Sequence, residues 1–228
     1  PLLIGPLDPG KSPDRASLNF ATQIARVLEE LDHAPIFAPL IKMATDGSNA
    51  GRRLAIQVLG HSKDAARVSP VLKELYAGES PPRGSILTSL ARLVGADELS
   101  FVTDQLRSQE RDEISAALYA LTAAQVSEAS AHVPVFSANT KVAAAHVQEL
   151  CNWYAACPEA FDKQHGASTL ELTKSSRVNL EDRIALVKLM SKNERHWPSG
   201  AKKTLETLAD SGSTELREAV LIALVLSG

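Results

Sequence analysis

The stretch "RRLAIQVLGHSKDAARVSPVLKEL", residues 52–75, decides how the rest of the chain is read. Leu54, Ala55, Val58 and Leu59 recur at intervals of three and four, which gathers them on one stripe of a helix. Gly60 stops that helix. Val68, Val71, Leu72, Leu75 and Tyr76 then form a second stripe. Two amphipathic helices around a glycine are either a local accident or one unit of a repeat. If they are a unit, the chain is a stack of helical hairpins, and its function lies in a broad surface rather than a compact pocket.

The pattern recurs on both sides. Upstream, Ile24, Ala25, Leu28 and Leu31 share a face, and after a break at Asp32-His33-Ala34-Pro35 so do Ile36, Phe37, Leu40 and Ile41. Downstream, Gly78 and Pro81-Pro82 are followed by Ile86, Leu87, Leu90 and Val94, a stop at Gly95, then Leu99, Val102 and Leu106. Arg111 opens another start with Ile114, Ala117, Leu118 and Leu121.

An arginine indexes the units, with small or apolar residues three, six and seven places later. Arg52 leads to Ala55, Val58 and Leu59, and Arg111 to Ile114, Ala117 and Leu118. Arg183 leads to Leu186, Leu189 and Met190, and Arg217 to Val220, Ala223 and Leu224. Arg83 fits with Ile86 and Leu90 but has Ser89 between them. These arginines stand 31, 28, 72 and 34 residues apart, and the helical stretch from Lys141 to Ala156 fills the double interval. A helix-pair period of about 30 to 36 residues is the mark of an α-solenoid. An all-α, α-α superhelix of about six helical pairs is therefore predicted.

Residues 1–17, rich in Pro and Gly, read as a linker or extended N-terminus. Residues 18–228 read as a single solenoid, with irregular segments near 126–140 and 158–178, the second loop-like with at most a short helix.

Composition agrees with helix packing. Apolar residues make up 44% of the 228, but aromatics only 4%. The apolar content is mostly Ala, Leu and Val, which favours close-packed helices over an aromatic-rich β-sandwich. A net charge of −3 gives no electrostatic reason to expect nucleic acid, which calls for a concentrated basic face. No apolar run of membrane-spanning length occurs, and no charged-then-apolar leader opens the sequence. If Cys151 and Cys157 share a helix they fall on different faces, too far apart to bridge. With Cys157 at a helix end before Pro158 a bridge becomes possible, but two free thiols are expected, in a reducing, cytoplasmic setting. Pro1 at the first position fits a domain of a larger protein or a chain whose Met is removed.

With these observations in place, "RRLAIQVLGHSKDAARVSPVLKEL" and "TELREAVLIAL" resemble HEAT repeats, especially the short kind also found in phycocyanobilin lyases. Arg53, Leu59-Gly60, Asp64, Val68 and Pro70 match the repeat, strongest over residues 50–124 and weaker over 180–228. The resemblance implies a superhelical fold and carries over no catalytic residue.

Chemistry-bearing residues are sparse. "GPLDPGKS" formally matches a phosphate-binding P-loop, but Pro6 and Pro9 remove backbone donors and no strand precedes it, so it reads as linker. His132, His146 and His165 have no partner at metal-ligand spacing, so no metal or other cofactor is expected. No nucleophile motif is present, and no catalytic residue is assigned.

The leading reading is a protein-interaction scaffold or regulatory domain that binds a protein partner or adjacent domain on its concave face. Helix phase places Arg67, Lys73, Glu74, Thr103, Asp104 and Arg107 on the solvent side of second helices, with Trp153 and Tyr154 as further anchors. The alternative, resembling the HEAT-like alkylpurine DNA glycosylases, would use Trp153 and Tyr154 with Asp162 or Glu159. Assistance in bilin attachment, a third option, has only the shared repeat behind it. The recurring arginines are expected to bond backbone carbonyls or turn aspartates. Residues 215–227 hold consecutive apolar positions from Ala219 to Leu226, so self-association, or cover by another repeat or domain, is expected there.

Overall fold

A computed structural model describes residues 4–31, 34–93, 95–211 and 213–227, with backbone alone at 34, 96 and 211. The described residues form α-helices and short 3-10 turns, with no strand among them. The Asp32–His33 break and Val94 lie outside them. Backbone contacts divide the chain into two compact units, residues 1–124 and 125–228.

The first unit holds α1 (Arg15–Glu29), α2 (Phe37–Asp46), α3 (Asn49–Leu59), α4 (Ala65–Ala77), α5 (Arg83–Arg92), α6 (Ala96–Asp104) and α7 (Arg111–Ala123). The starts follow from side chains that satisfy orphan N–H groups. Asp14 accepts from Ser17 N, Ser48 from Gly51 N, and Asp64 from Arg67 N. Alternate helices pack side by side: α1 on α3, α3 on α5, and α5 on α7. Between them lie the predicted stripes, with Ala55, Val58, Leu59, Ile86, Leu87, Leu90, Ala117 and Leu118 all fully buried. Helices α2, α4 and α6 pack alongside this row.

Ser89, the misfit in the arginine alignment, has a physical reason to be small. A Cβ placed on Gly60 would lie 2.6 Å from the Cβ of Ser89. Ser89 Oγ donates to the Ile56 carbonyl at 2.8 Å. Helices α3 and α5 therefore touch through a glycine and a hydroxyl, at a distance a leucine in the serine's place would forbid.

The proline-rich opening is folded onto this unit. Ile4 and Leu7 are buried around a 3-10 turn at Gly5–Leu7. Asp8 accepts from the Ser48 N–H at 3.0 Å, from the Ser48 hydroxyl, and from Gly10 N–H at 3.0 Å. Its carboxylate so occupies the positive end of α3, where the helix dipole favours an anion.

The second unit holds α8 (Val133–Ala138), α9 (Thr140–Ala143), α10 (Val147–Ala156), α11 (Lys163–Lys174), α12 (Leu180–Lys192), α13 (Ala201–Ser211) and α14 (Thr214–Leu226). Helix α12 packs against α10 and α14, while α11 lies against α8 and α12. Val187, Met190, Leu205, Val220 and Ala223 form its core near the C-terminal end. Residues 126–140, read as an irregular connection, hold a 3-10 turn and the six-residue α8, and begin α9. One expectation needs correction here. Residues 158–178, expected to be loop-like, contain the twelve-residue α11, whose His165, Gly166, Ser168, Thr169, Leu170, Leu172 and Thr173 are buried. Its inward face is polar, so no hydrophobic stripe marks it in the sequence.

Three of the recurring arginines make one contact. Arg52 Nε donates to the Ala44 carbonyl at 3.2 Å, a guanidinium nitrogen of Arg183 to Ser175 at 2.8 Å, and Arg217 Nε to Ala209 at 3.3 Å. Each stands four residues after a helix-capping Ser or Asn and reaches a carbonyl eight residues back, at the end of the preceding helix. Terminal carbonyls lack helical partners and carry the negative end of the dipole, so a cation fits there. The expected carbonyl bonding holds for these three.

Candidate functional site

Of the residues assigned to a binding face in the first unit, two are engaged in joining helices. The Arg67 guanidinium lies 3.9 Å from the centroid of the Phe37 ring, linking α4 to α2. The Lys73 ammonium sits 5.6 Å from the Phe101 ring, linking α4 to α6. Phe101 meets Tyr76 edge-on at 5.3 Å, and the Tyr76 hydroxyl bonds Gln105 at 3.2 Å. Arg83 lies near the same tyrosine and pairs with Glu113 at 2.8 Å. Burial, and then the Glu113 charge, raise the Tyr76 phenol above its ordinary value.

Thr103 does not face solvent. It is 2% exposed, and its hydroxyl donates to the carbonyls of Leu99 and Ser100. Glu74, Asp104 and Arg107 are exposed, and Asp104 and Arg107 form an open pair at 3.4 Å. An exposed pair of that kind contributes little to stability and leaves both groups free to exchange partners.

Trp153 and Tyr154 are brought together, but inside the second unit. Trp153 is 0% and Tyr154 3% exposed, so neither reaches a partner's surface in this conformation. They build a cluster with Phe161 and His165: Trp153 lies 5.1 Å from Tyr154 and 6.1 Å from His165, and Tyr154 lies 5.0 Å from Phe161. His165 Nδ1 stands 2.8 Å from Asp162 Oδ1 and 3.4 Å from the Asp162 N–H. The two contacts ask opposite roles of one nitrogen. We assign the donor role, because the carboxylate is the nearer and charged partner. Burial pushes the Asp162 carboxyl up, but its bonds from the backbone and ring of His165 outweigh that and hold it below the usual range.

Three polar atoms of this cluster are buried with no hydrogen-bond partner: Trp153 Nε1, Tyr154 Oη and His165 Nε2. Burial pushes the Tyr154 phenol upward, against a smaller lowering by the nearby Ser137 and Thr169 hydroxyls, which approach it as hydrogen-bonding groups without reaching ordinary bond geometry. Cys151, on the same helix, has its thiol pushed up to about 11 by burial and then by Asp182, so it is protonated at neutral pH and a poor nucleophile. Both cysteines are free thiols.

Sequence reasoning missed an open groove of about 720 Å³ in the second unit. Pro134 and Ala138 of α8, Ala167 and Leu170 of α11, and Lys203 and Thr204 of α13 line it. Two of its bordering helices, α8 and α11, were not assigned from the stripes, so nothing in the sequence reading pointed to it. Among the described residues no three His, Cys, Asp or Glu side chains are placed to hold a metal. No described helix is long and apolar enough to cross a membrane.

No family model matches the chain, and no curated protein matches it.

Proposed function

We propose that this chain is a HEAT-like α-solenoid that serves as a protein-interaction scaffold or recruitment module. The observation that carries the reading is the row in the first unit, α1 on α3 on α5 on α7, each helix covered by the next but one. Packing of that kind buries a continuous core without closing a central pocket, and leaves function to the surface. The repeated arginine-to-carbonyl contact at three helix corners supports a common unit.

The partner-binding groups in this reading are Glu74, Asp104 and Arg107, the exposed remainder of the face on α4 and the α6 end. Arg67 and Lys73 hold the face in shape by bridging its helices. The glycosylase-like alternative needs an aromatic that a flipped base can stack on, and Trp153 and Tyr154 lie in the core.

Two measurements test this. Small-angle scattering is expected to show an elongated particle, and a compact globule would overturn the fold. Crosslinking capture with wild-type and Glu74→Lys/Arg107→Glu chains, run side by side, is expected to lose a specific protein in the variant. Equal recovery would remove the binding role from this face, and salt-sensitive DNA binding in a gel shift would bring the alternative forward.

A further inference from the structure

Exposed large apolar side chains concentrate at two places. Among the described residues, Phe20, Val27 and Leu31 are 57%, 51% and 49% exposed, on α1 or just past its end. Leu221, Ile222, Val225 and Leu226 of α14 are 51%, 60%, 79% and 60% exposed. Only Leu18, also on α1, and Tyr119, Val135 and Leu180 join them. Together with half-buried Ile24, the α1 residues follow a four-three-four spacing, a continuous stripe along one helix flank. On α14, Val225 lies opposite the face that Leu216, Val220 and Ala223 bury.

The row packing says what kind of surface covers such stripes. Within its unit α3 is flanked by α1 and α5, and α12 by α10 and α14. Among the described residues, the row neighbour that α1 packs on is α3, and the one that α14 packs on is α12. Each of these two helices therefore leaves an apolar flank exposed on the side away from its row neighbour. A single unrelated partner would account for one of them. A second copy of this chain accounts for both with one contact.

We propose that copies of this chain join head to tail, the Leu221–Leu226 stripe of α14 in one copy packing on the Phe20–Leu31 stripe of α1 in the next. The inference rests on the solenoid reading, since the junction continues the alternate-helix packing across two chains. A contact between two different patches is heterologous, so it propagates into open chains of copies unless the rotation closes a ring. Three exposed side chains on one copy and four on the other make a small patch beside the about 800 Å² per partner of a standard interface. The junction is therefore reversible and dependent on concentration.

Light scattering across a concentration series tests it with Val225→Glu and Phe20→Glu. Both sites are exposed, so circular dichroism of the variants is expected to match the wild type. The wild-type mass is expected to rise two-fold or more with concentration, while each variant alone keeps the mass of one chain. An equimolar mixture is expected to double in mass and stop. Val225→Glu still offers an intact α1, Phe20→Glu an intact α14, and their complex has no free stripe left. A Phe20→Glu chain that doubles by itself would establish α14 against α14 instead and overturn the proposal. So would a wild type that stays single up to its solubility limit, which would assign the stripes to further helices of a longer polypeptide. Scattering from the monomeric Phe20→Glu chain keeps the two readings apart: an elongated monomer leaves the solenoid standing whatever happens to the junction.

Discussion

At the scale of single residues, the clearest constraint is the contact of Gly60 with Ser89. A methyl at Gly60 meets the Cβ and the backbone Cα of Ser89, neither of which can turn away. Gly60→Ala is expected to cost about 1–3 kcal/mol, as overpacked cores do. A double-mutant cycle with Ser89→Gly checks the cause, since the two losses should then be less than additive. Tyr154 poses the opposite case. Its hydroxyl is buried beside Ser137 and Thr169 but makes no hydrogen bond of ordinary geometry to either, so Tyr154→Phe keeps the ring and removes a poorly satisfied group. The variant is expected to match or exceed the wild-type Tm in thermal denaturation, and a clear drop would mean the hydroxyl has a bonded partner. Residue identity was the least legible layer of the sequence. Helix phase alone placed Thr103 outward. The residue instead turns in and satisfies its hydroxyl on its own helix.

At the scale of elements, stripes of Leu, Ile and Val announced α1 to α7, α12 and α14, with correct breaks at Gly60 and Gly78. They did so because burial of such stripes is what fixes a helix on its neighbour. Helix α11 escaped because its buried face is built from Ser168, Thr169, Thr173, Gly166 and His165. Ser168 bonds the His165 carbonyl and Thr173 the Leu170 carbonyl, so these polar groups are satisfied locally and need no apolar signature. The groove beside α11 was hidden with it. Two predictions belong to this scale. Arg183→Ala, which removes a charged bond to the end of α11, is expected to cost about 1.5–3 kcal/mol in denaturant unfolding. Asp8 sets a pH dependence. Burial pushes its carboxyl up, the bonds from Ser48 and Gly10 pull it further down, and the net value lies below the ordinary 3.8. A depressed carboxylate stabilises the fold above its ordinary value and loses that contribution as the pH falls through the folded one. Asp8→Asn is thus expected to lower Tm at neutral pH, with the gap to wild type closing as the pH falls below 3.8.

At the scale of the molecule, the chain divides at residue 124, next to Gln125, whose φ of +53° is left-handed backbone that a side chain rarely adopts. The arginine period behind the reading of one array from 18 to 228 carries no information on where contacts thin out. A fragment ending at Ala124 contains α1 to α7 with their stripes, and is expected to fold cooperatively by itself, checked by thermal circular dichroism.

The arginine corners carry one more consequence. In each, the group that receives the guanidinium is a peptide oxygen, belonging to Ala44, Ser175 or Ala209 without involving what those residues bear on Cβ. Such a joint is indifferent to spelling on one side and strict about counting. Any letter may stand eight places before the arginine, but one inserted residue would swing the cation about 100° around its helix, away from its target.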